Sequence, residues 1–261
     1  MVLCQLRRHG TIGIVTFDGT YKPFITDEAL TQTNGLRVEK AHKRLWVCNA
    51  PNGVGEYDLY TGTRILFTDL TALLPGAPVF TNDVVLDLEG NAYVTNSFSP
   101  VIYKVDRYGK ASVFFQNAAF ATGPDEFGFN GIQYDERGFL LVAHTSLNEI
   151  IKIPLRKPTD YSVVQLDATF SFPDGLLLSK DGKQLVMVHE DRVLSFISND
   201  QWKSGRVSTS FYTGPEVFTT SVTSDGKRVW VLYSHLDKLL NGENQDTFTI
   251  QEMPLSKPSS F

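Results

Sequence analysis

Phe129-Asn130-Gly131-Ile132-Gln133-Tyr134-Asp135 leads through a turn at Arg137-Gly138 into Phe139-Leu140-Leu141-Val142-Ala143-His144. The stretch reads as a β-hairpin with a polar residue at each open end, and the chain repeats it. Thr33-Asn34-Gly35-Leu36 opens an earlier copy, and Phe80-Thr81-Asn82-Asp83 another, with its turn at Glu89-Gly90. Phe172-Pro173-Asp174-Gly175 opens a later copy that turns at Asp181-Gly182, and Phe218-Thr219-Thr220 opens the last, turning at Asp225-Gly226. The leading polar positions 34, 82, 130, 174 and 220 are separated by steps of 48, 48, 44 and 46. Self-similarity at one period of this size is the mark of a repeat architecture.

The second strand of each hairpin repeats as well. Leu45–Asn49, Ala92–Asn96, Leu140–His144, Leu185–His189 and Val229–Tyr233 are apolar runs, each closed by a polar or half-polar residue. Such runs, rich in Val, Leu and aromatics, fit strands buried on both faces. A step of 44 back from Asn49 adds Gln5, so this column has six members while the first has five.

Four short strands per unit, six units and no helical period predict an all-β chain. The expected fold is a six-bladed β-propeller of four-stranded antiparallel blades, forming a single domain over residues 1–261. The first and last blades are expected to be incomplete. An immunoglobulin-like sandwich does not predict a period near 46 through the whole chain, and the marks of the WD and kelch propellers are missing.

Composition narrows the partners. The 261 residues are 42% apolar and 20% charged, ordinary globular usage, and the net charge is −5. Without a basic run or aromatic–basic interleaving, nucleic acid is not an expected partner. No apolar stretch reaches the length of a membrane span, and Arg7 and Arg8 follow rather than precede the N-terminal apolar residues, the wrong order for a signal peptide. A cytoplasmic protein acting on a small molecule is the expectation. Cys4 and Cys48 occupy one position of adjacent repeats. Equivalent strands of packed sheets lie ~10 Å apart, too far for a disulfide, so both read as buried thiols.

In a propeller the first strand of each blade lines the channel and the second runs antiparallel to it. That would place Asn34, Asn82, Asn130, Asp174 and Thr220 in a ring at one channel mouth, with Gln5, Asn49, Asn96, His144, His189 and Tyr233 just outside. Convergent oxygen-bearing groups of this kind suit a hard divalent cation or a polar ligand. One Asn-Gly at a strand entrance is ordinary turn chemistry. Three in register, with an aspartate in the fourth copy, favour a site. His144 and His189 read either as satisfied strand-end residues or as donors to a substrate.

At these residues the chain resembles the SMP-30/gluconolactonase family of six-bladed propellers, over nearly its whole length. The family's Asn-Gly-Leu, Pro-Asp-Gly and Phe-Asn-Asp motifs are matched by Asn130-Gly131-Ile132, Pro173-Asp174-Gly175 and Thr81-Asn82-Asp83. The resemblance implies a divalent metal (Ca²⁺, Mg²⁺, Mn²⁺ or Zn²⁺) held by Asn130 and Asp174, with Asp174 also the general base and Asn82 a substrate contact. Asn34, His144 and His189 join Asn82 as candidate substrate contacts. The implied reaction is hydrolysis of a small sugar lactone or related ester. The family's third ligand, a glutamate in a Pro-Glu-Gly segment of the first blade, has no counterpart, as if the chain were shortened at its N-terminus. Two readings stay open: a metal-dependent lactone hydrolase, impaired by that missing ligand, or a non-catalytic propeller serving as a binding or interaction scaffold. Asp83, the nearest further carboxylate, is expected to be turned away by strand alternation.

Overall fold

In the computed structural model, residues 2–4, 10–16, 18–214, 218–236, 238, 241–243 and 247–254 are described, the first three by main chain alone. Gln5 and the tail at 257–260 lie outside the described residues, as do the Cys4 side chain and part of the loop at 236–246. The chain divides into two compact units, Met1–Phe129 and Asn130–Phe261.

In the first unit, β1 (Val2–Cys4), β2 (Thr11–Val15) and β3 (Tyr21–Thr26) form a three-stranded sheet. β4 (Thr33–Glu39), β5 (Arg44–Asn49), β6 (Gly53–Asp58) and β7 (Arg64–Asp69) form a four-stranded one, in sequence order. β8 (Thr81–Leu86), β9 (Ala92–Asn96), β10 (Val101–Val105) and β11 (Ala111–Gln116) form the next, and all these pairings are antiparallel.

The sheet of β12 (Phe129–Asp135), β13 (Phe139–His144), β14 (Glu149–Pro154) and β15 (Ser162–Val163) opens the second unit. β16 (Gln165–Leu166) follows, then β17 (Pro173–Leu178), β18 (Gln184–His189), β19 (Arg192–Ile197) and β20 (Ser204–Tyr212). β21 (Thr219–Ser224), β22 (Val229–Tyr233) and β23 (Thr249–Met253) form a last, three-stranded sheet. Six up-and-down sheets thus follow one another along the chain, the blade pattern expected of a propeller, with three described strands in the first and last.

One expectation fails. Four-stranded antiparallel blades would give the fourth sheet one continuous outer strand over residues 162–166. Instead β15 pairs with β14, while β16 pairs in parallel with β20 of the next sheet. The crossing is fixed by Val164, which is buried and gives its N–H to Ile150, while Gln165 gives its N–H to Lys203. The chain hands its hydrogen bonds from one sheet edge to the next at a single residue.

A middle strand is apolar on both faces where its sheet has a neighbour on each side, as those of β5 and β18 do. Every residue of β13 and of β18 is buried. Phe139, Leu141 and Ala143 of β13 pack with Leu185 and Met187 of β18, and Val186 and Val188 on its other face with Val229 and Val231 of β22. In the first unit Trp46 and Cys48 of β5 pack against Val84 of β8 and Val94 of β9, whereas Leu45 and Val47 meet Ile12 and Ile25. Cys48 is fully buried.

Neighbouring inner strands are also joined by side chains at equivalent positions. Arg37 Nε donates to the carbonyl of Val84 at 3.1 Å, and Gln133 Nε2 to that of Leu176 at 2.7 Å. The hairpin turns hold as read: Gly138 and Gly182 sit at φ +94° and +69°, the left-handed region that glycine enters without steric cost. No helix among the described residues is long and apolar enough to cross a membrane.

Candidate functional site

Four of the five leading polar residues share one local geometry. In β4, β8, β17 and β21 the register with the partner strand slips by one residue at or beside the polar position, between Thr33 and Leu36, Thr81 and Val84, Pro173 and Leu176, and Thr219 and Ser221. A bulge re-aims side chains locally. The glycine after the polar residue has a different cause from the turn chemistry its sequence suggests. Gly35, Gly131 and Gly175 are absent from the left-handed region. A Cβ on Gly35 would lie 2.6 Å from the carbonyl oxygen of Asn82. On Gly131 it would lie 2.2 Å from that of Asp174, and on Gly175 2.7 Å from that of Thr220. Glycine is needed because adjacent inner strands touch there through their backbones. The same closeness sets Asn34 beside Asn82 in the first unit, and Asn130 beside Asp174 beside Thr220 in the second.

The amides are held in a definite orientation. Thr145 Oγ1 donates its single hydrogen to the carbonyl of Pro173 at 3.0 Å. Toward Asn130, 3.0 Å away, it can therefore only accept, so the Asn130 NH₂ must face it. Ser97 repeats this one sheet earlier: its hydroxyl donates to the Phe129 carbonyl at 2.8 Å and accepts from Asn82 Nδ2 at 2.9 Å. Asn34 has Ala50 where Ser97 and Thr145 stand in the later copies, and its Nδ2 donates directly to the Thr81 carbonyl at 2.8 Å. In each case anchoring the NH₂ fixes where the amide carbonyl oxygen points. Asn130 is 4% exposed, while Asn34, Asn82 and Asp174 are half-buried.

The second column holds loops. Asn49 Oδ1 accepts the N–H groups of Thr31 and Gln32, and its Nδ2 donates to Ala29 O and Asn52 Oδ1. Asn96 does the equivalent, accepting from Phe80 and Phe98 and donating to Pro78 O and the Tyr103 hydroxyl. His144 is fully buried, and its Nδ1 accepts the Leu147 N–H at 3.3 Å. The Tyr233 hydroxyl bonds Gln251 Oε1. His189 departs from the pattern: it is 4% exposed, and neither ring nitrogen has a hydrogen-bond partner. Burial lowers its pKa, with Asp191 and Glu190 opposing that shift and Arg192 adding to it, so the ring is neutral at pH 7.

Asp83 is a correction. Strand alternation does not turn it away, because the β8 bulge interrupts alternation at this residue. Its Oδ1 accepts the Val84 N–H at 2.8 Å and would lie 2.6 Å from a Cβ on Gly35. Asn34, Asn82 and Asp83 therefore form one cluster in the first unit. Sequence reading also passed over Ser97 and Thr145. Their signal was positional: each stands one residue beyond the second column, in register.

The second-unit donor set fits a divalent cation poorly. Ca²⁺ takes 6–8 oxygens, and affinity rises with ligand charge. Asn130 and Asp174 supply one amide and one carboxylate. Among the described residues no three His, Cys, Asp or Glu side chains come together as a metal set.

No model of a protein family matches the chain, and no curated protein does. Solved structures do. The major Malassezia sympodialis allergen Mala s 1 superposes with a TM-score of 0.72 at 16% identity, over 96% of this chain and 88% of the allergen. A streptogramin B lyase gives 0.61 at 17% identity, over 95% and 77%. A proposed gluconolactonase gives 0.63 at 16% identity, over 85% and 77%. At such identities the likeness is one of fold: the chain is a β-propeller that matches six-bladed propellers.

Proposed function

We propose that the chain is a small-molecule-binding propeller whose leading polar column presents hydrogen-bond acceptors to a donor-rich ligand such as a polyol or a sugar lactone. One observation carries the reading. The Thr145 hydroxyl, committed to Pro173, forces the Asn130 NH₂ toward itself and so directs the amide carbonyl the other way. The neighbouring inner strand brings the Asp174 backbone against Gly131, the residue that follows Asn130. An acceptor held in place before binding loses little entropy on meeting a hydroxyl. Asn82 and Asp83, with Ser97 behind them, repeat the pairing in the first unit. The test is calorimetric titration of the intact chain and of Asn130→Ala with 1,5-anhydro-D-glucitol and myo-inositol. Binding by the parent chain that Asn130→Ala loses supports the reading, and equal binding by both sinks it.

A second reading is hydrolysis of a small lactone. It is favoured by the adjacency of Asn130 and Asp174 and by the resemblance at both residues. Asp174 would take a proton from the water that adds to the lactone carbonyl, the ring oxygen would leave with a proton, and the product would be the open hydroxy acid. The test is pH-stat hydrolysis of D-glucono-1,5-lactone by the chain and by Asp174→Asn, each with and without Ca²⁺, Mg²⁺, Mn²⁺ or Zn²⁺. A rate above the spontaneous one that Asp174→Asn abolishes supports the hydrolase, and identical rates remove Asp174 from any mechanism.

A further inference from the structure

His189 closes β18 and lies directly across from Pro173 on β17 and Arg192 on β19. It alternates in register with Leu185 and Met187, whose face packs on Phe139, Leu141 and Ala143 of β13. The imidazole therefore sits in the seam between these two sheets. Thr145 is at the same end of that seam, bonded to the Pro173 carbonyl. A short strap covers the ring. The Phe170 ring centroid is 6.3 Å away, Ser171 Oγ is tied to Glu190 Oε2 at 3.1 Å, and the Phe172 N–H is tied to Asn148 Oδ1 at 2.8 Å. The Ser171 main chain runs close to the imidazole without hydrogen-bond geometry toward it. Phe172 is 51% exposed and sits at φ +50°, a strained conformation for a bulky side chain.

A buried polar group without a partner costs stability, and an unpaired one in a native structure calls for a reason. The other polar residues of this column for which side-chain bonds are described, Asn49, Asn96, His144 and Tyr233, spend them on loops or neighbours. His189 spends neither of its nitrogens. Strained backbone beside it, in a strap held by two hydrogen bonds, is the kind of segment that yields to a ligand.

We propose that His189 is a ligand contact that takes one hydrogen bond from, and gives one to, the hydroxyls of a neutral, hydroxylated small molecule entering beneath the Phe170–Phe172 strap beside Asp174. This rests on the small-molecule reading above and names the chemistry of the ligand. A neutral imidazole offers one N–H and one lone pair. A carboxylate can satisfy only the first and an ammonium only the second, whereas vicinal hydroxyls satisfy both.

The experiment uses the intact chain with 1,5-anhydro-D-glucitol and myo-inositol as probes, the variants His189→Leu and His189→Gln, and the ring ¹⁵N resonances of His189. Leucine removes the unpaired nitrogens, so His189→Leu is expected to melt higher than the parent chain and to bind the probes about tenfold more weakly or worse, the loss of one or more hydrogen bonds. Glutamine keeps a donor and an acceptor and restores part of the affinity. Both ring nitrogens shift when probe is added. A lower melting temperature for His189→Leu, undiminished binding by it, or unmoved ring resonances overturns the proposal, as an internal water alone would produce the last two. Binding that Asn130→Ala loses and His189→Leu keeps defeats this inference and leaves the small-molecule reading standing. Absence of any probe binding by the parent chain defeats both.

Discussion

The Thr145 hydroxyl bridges Asn130 and Pro173, accepting from the Asn130 amide at 3.0 Å and donating to the Pro173 carbonyl at 3.0 Å. The second-strand column places this oxygen, the bond to the neighbouring strand aligns it, and it orients the amide. Thr145→Val keeps the shape and deletes both bonds. It leaves a buried amide and a buried carbonyl without their partner, a loss of about 1–3 kcal/mol, and frees the amide to rotate. Urea unfolding is expected to show that loss, and calorimetry a weaker response to polyols. Thr145→Ser, which keeps the hydroxyl, should restore both. Equal stability of the valine and parent chains would mean that the bridge does no structural work.

Gly131 makes a sharper prediction about packing. A Cβ at this position would lie 2.2 Å from the Asp174 carbonyl oxygen, and backbone on the neighbouring strand cannot step aside cheaply. Gly131→Ala should therefore cost at least the upper part of the range for overpacking, about 1–3 kcal/mol. Gly123→Ala is the control: its Cβ would approach nothing nearer than the Glu126 carboxylate at 3.4 Å, the far end of a flexible side chain. Matched denaturation curves for the two variants check the contrast, and a Gly131→Ala protein as stable as the control would refute the close approach.

His189 predicts the pH dependence of stability. Its folded pKa lies below the ordinary value of 6.5 because burial disfavours the charged ring. Between the two values the unfolded chain binds more protons than the folded one, so stability rises with pH there. The contribution is complete above the unfolded value and shrinks as pH falls through the interval. Glu56, whose pKa burial raises, acts in the opposite direction, so the parent chain alone does not isolate the effect. The difference between parent and His189→Leu does. That difference should widen in favour of leucine as pH falls from 7.5 to 5. A pH-independent difference in urea midpoints would show that the imidazole titrates alike folded and unfolded.

The blade pattern was legible because strands packed on both faces, such as β13 and β18, are apolar along nearly their whole length, and a period near 46 repeats that demand. Strand limits such as Ala92–Asn96 and Val229–Tyr233 match the reading residue for residue. What escaped is set between strands rather than along one. The exchange at Val164 depends on two sheet edges passing close by, which no local pattern records. Asp83 escaped because alternation was extended through a bulge. Gly35 and Gly131 carried the signature of turns, yet they answer to a neighbouring backbone. The candidate site was legible as a column of residue types. Its orientation was not, since that depends on which partner takes the one hydrogen of Ser97 or of Thr145.

On the proposed reading, these residues form an acceptor site for a hydroxylated molecule and a weak one for a divalent cation. One carboxylate and one amide from Asn130 and Asp174 give a cation too little anionic oxygen to replace its water. Parallel calorimetric titrations of the intact chain, one with 1,5-anhydro-D-glucitol and one with Ca²⁺, test this most directly. The account predicts saturable polyol binding with one site that Asn130→Ala removes, and a Ca²⁺ response too weak to saturate at millimolar concentration. Tight, stoichiometric Ca²⁺ binding with no polyol heat would contradict it.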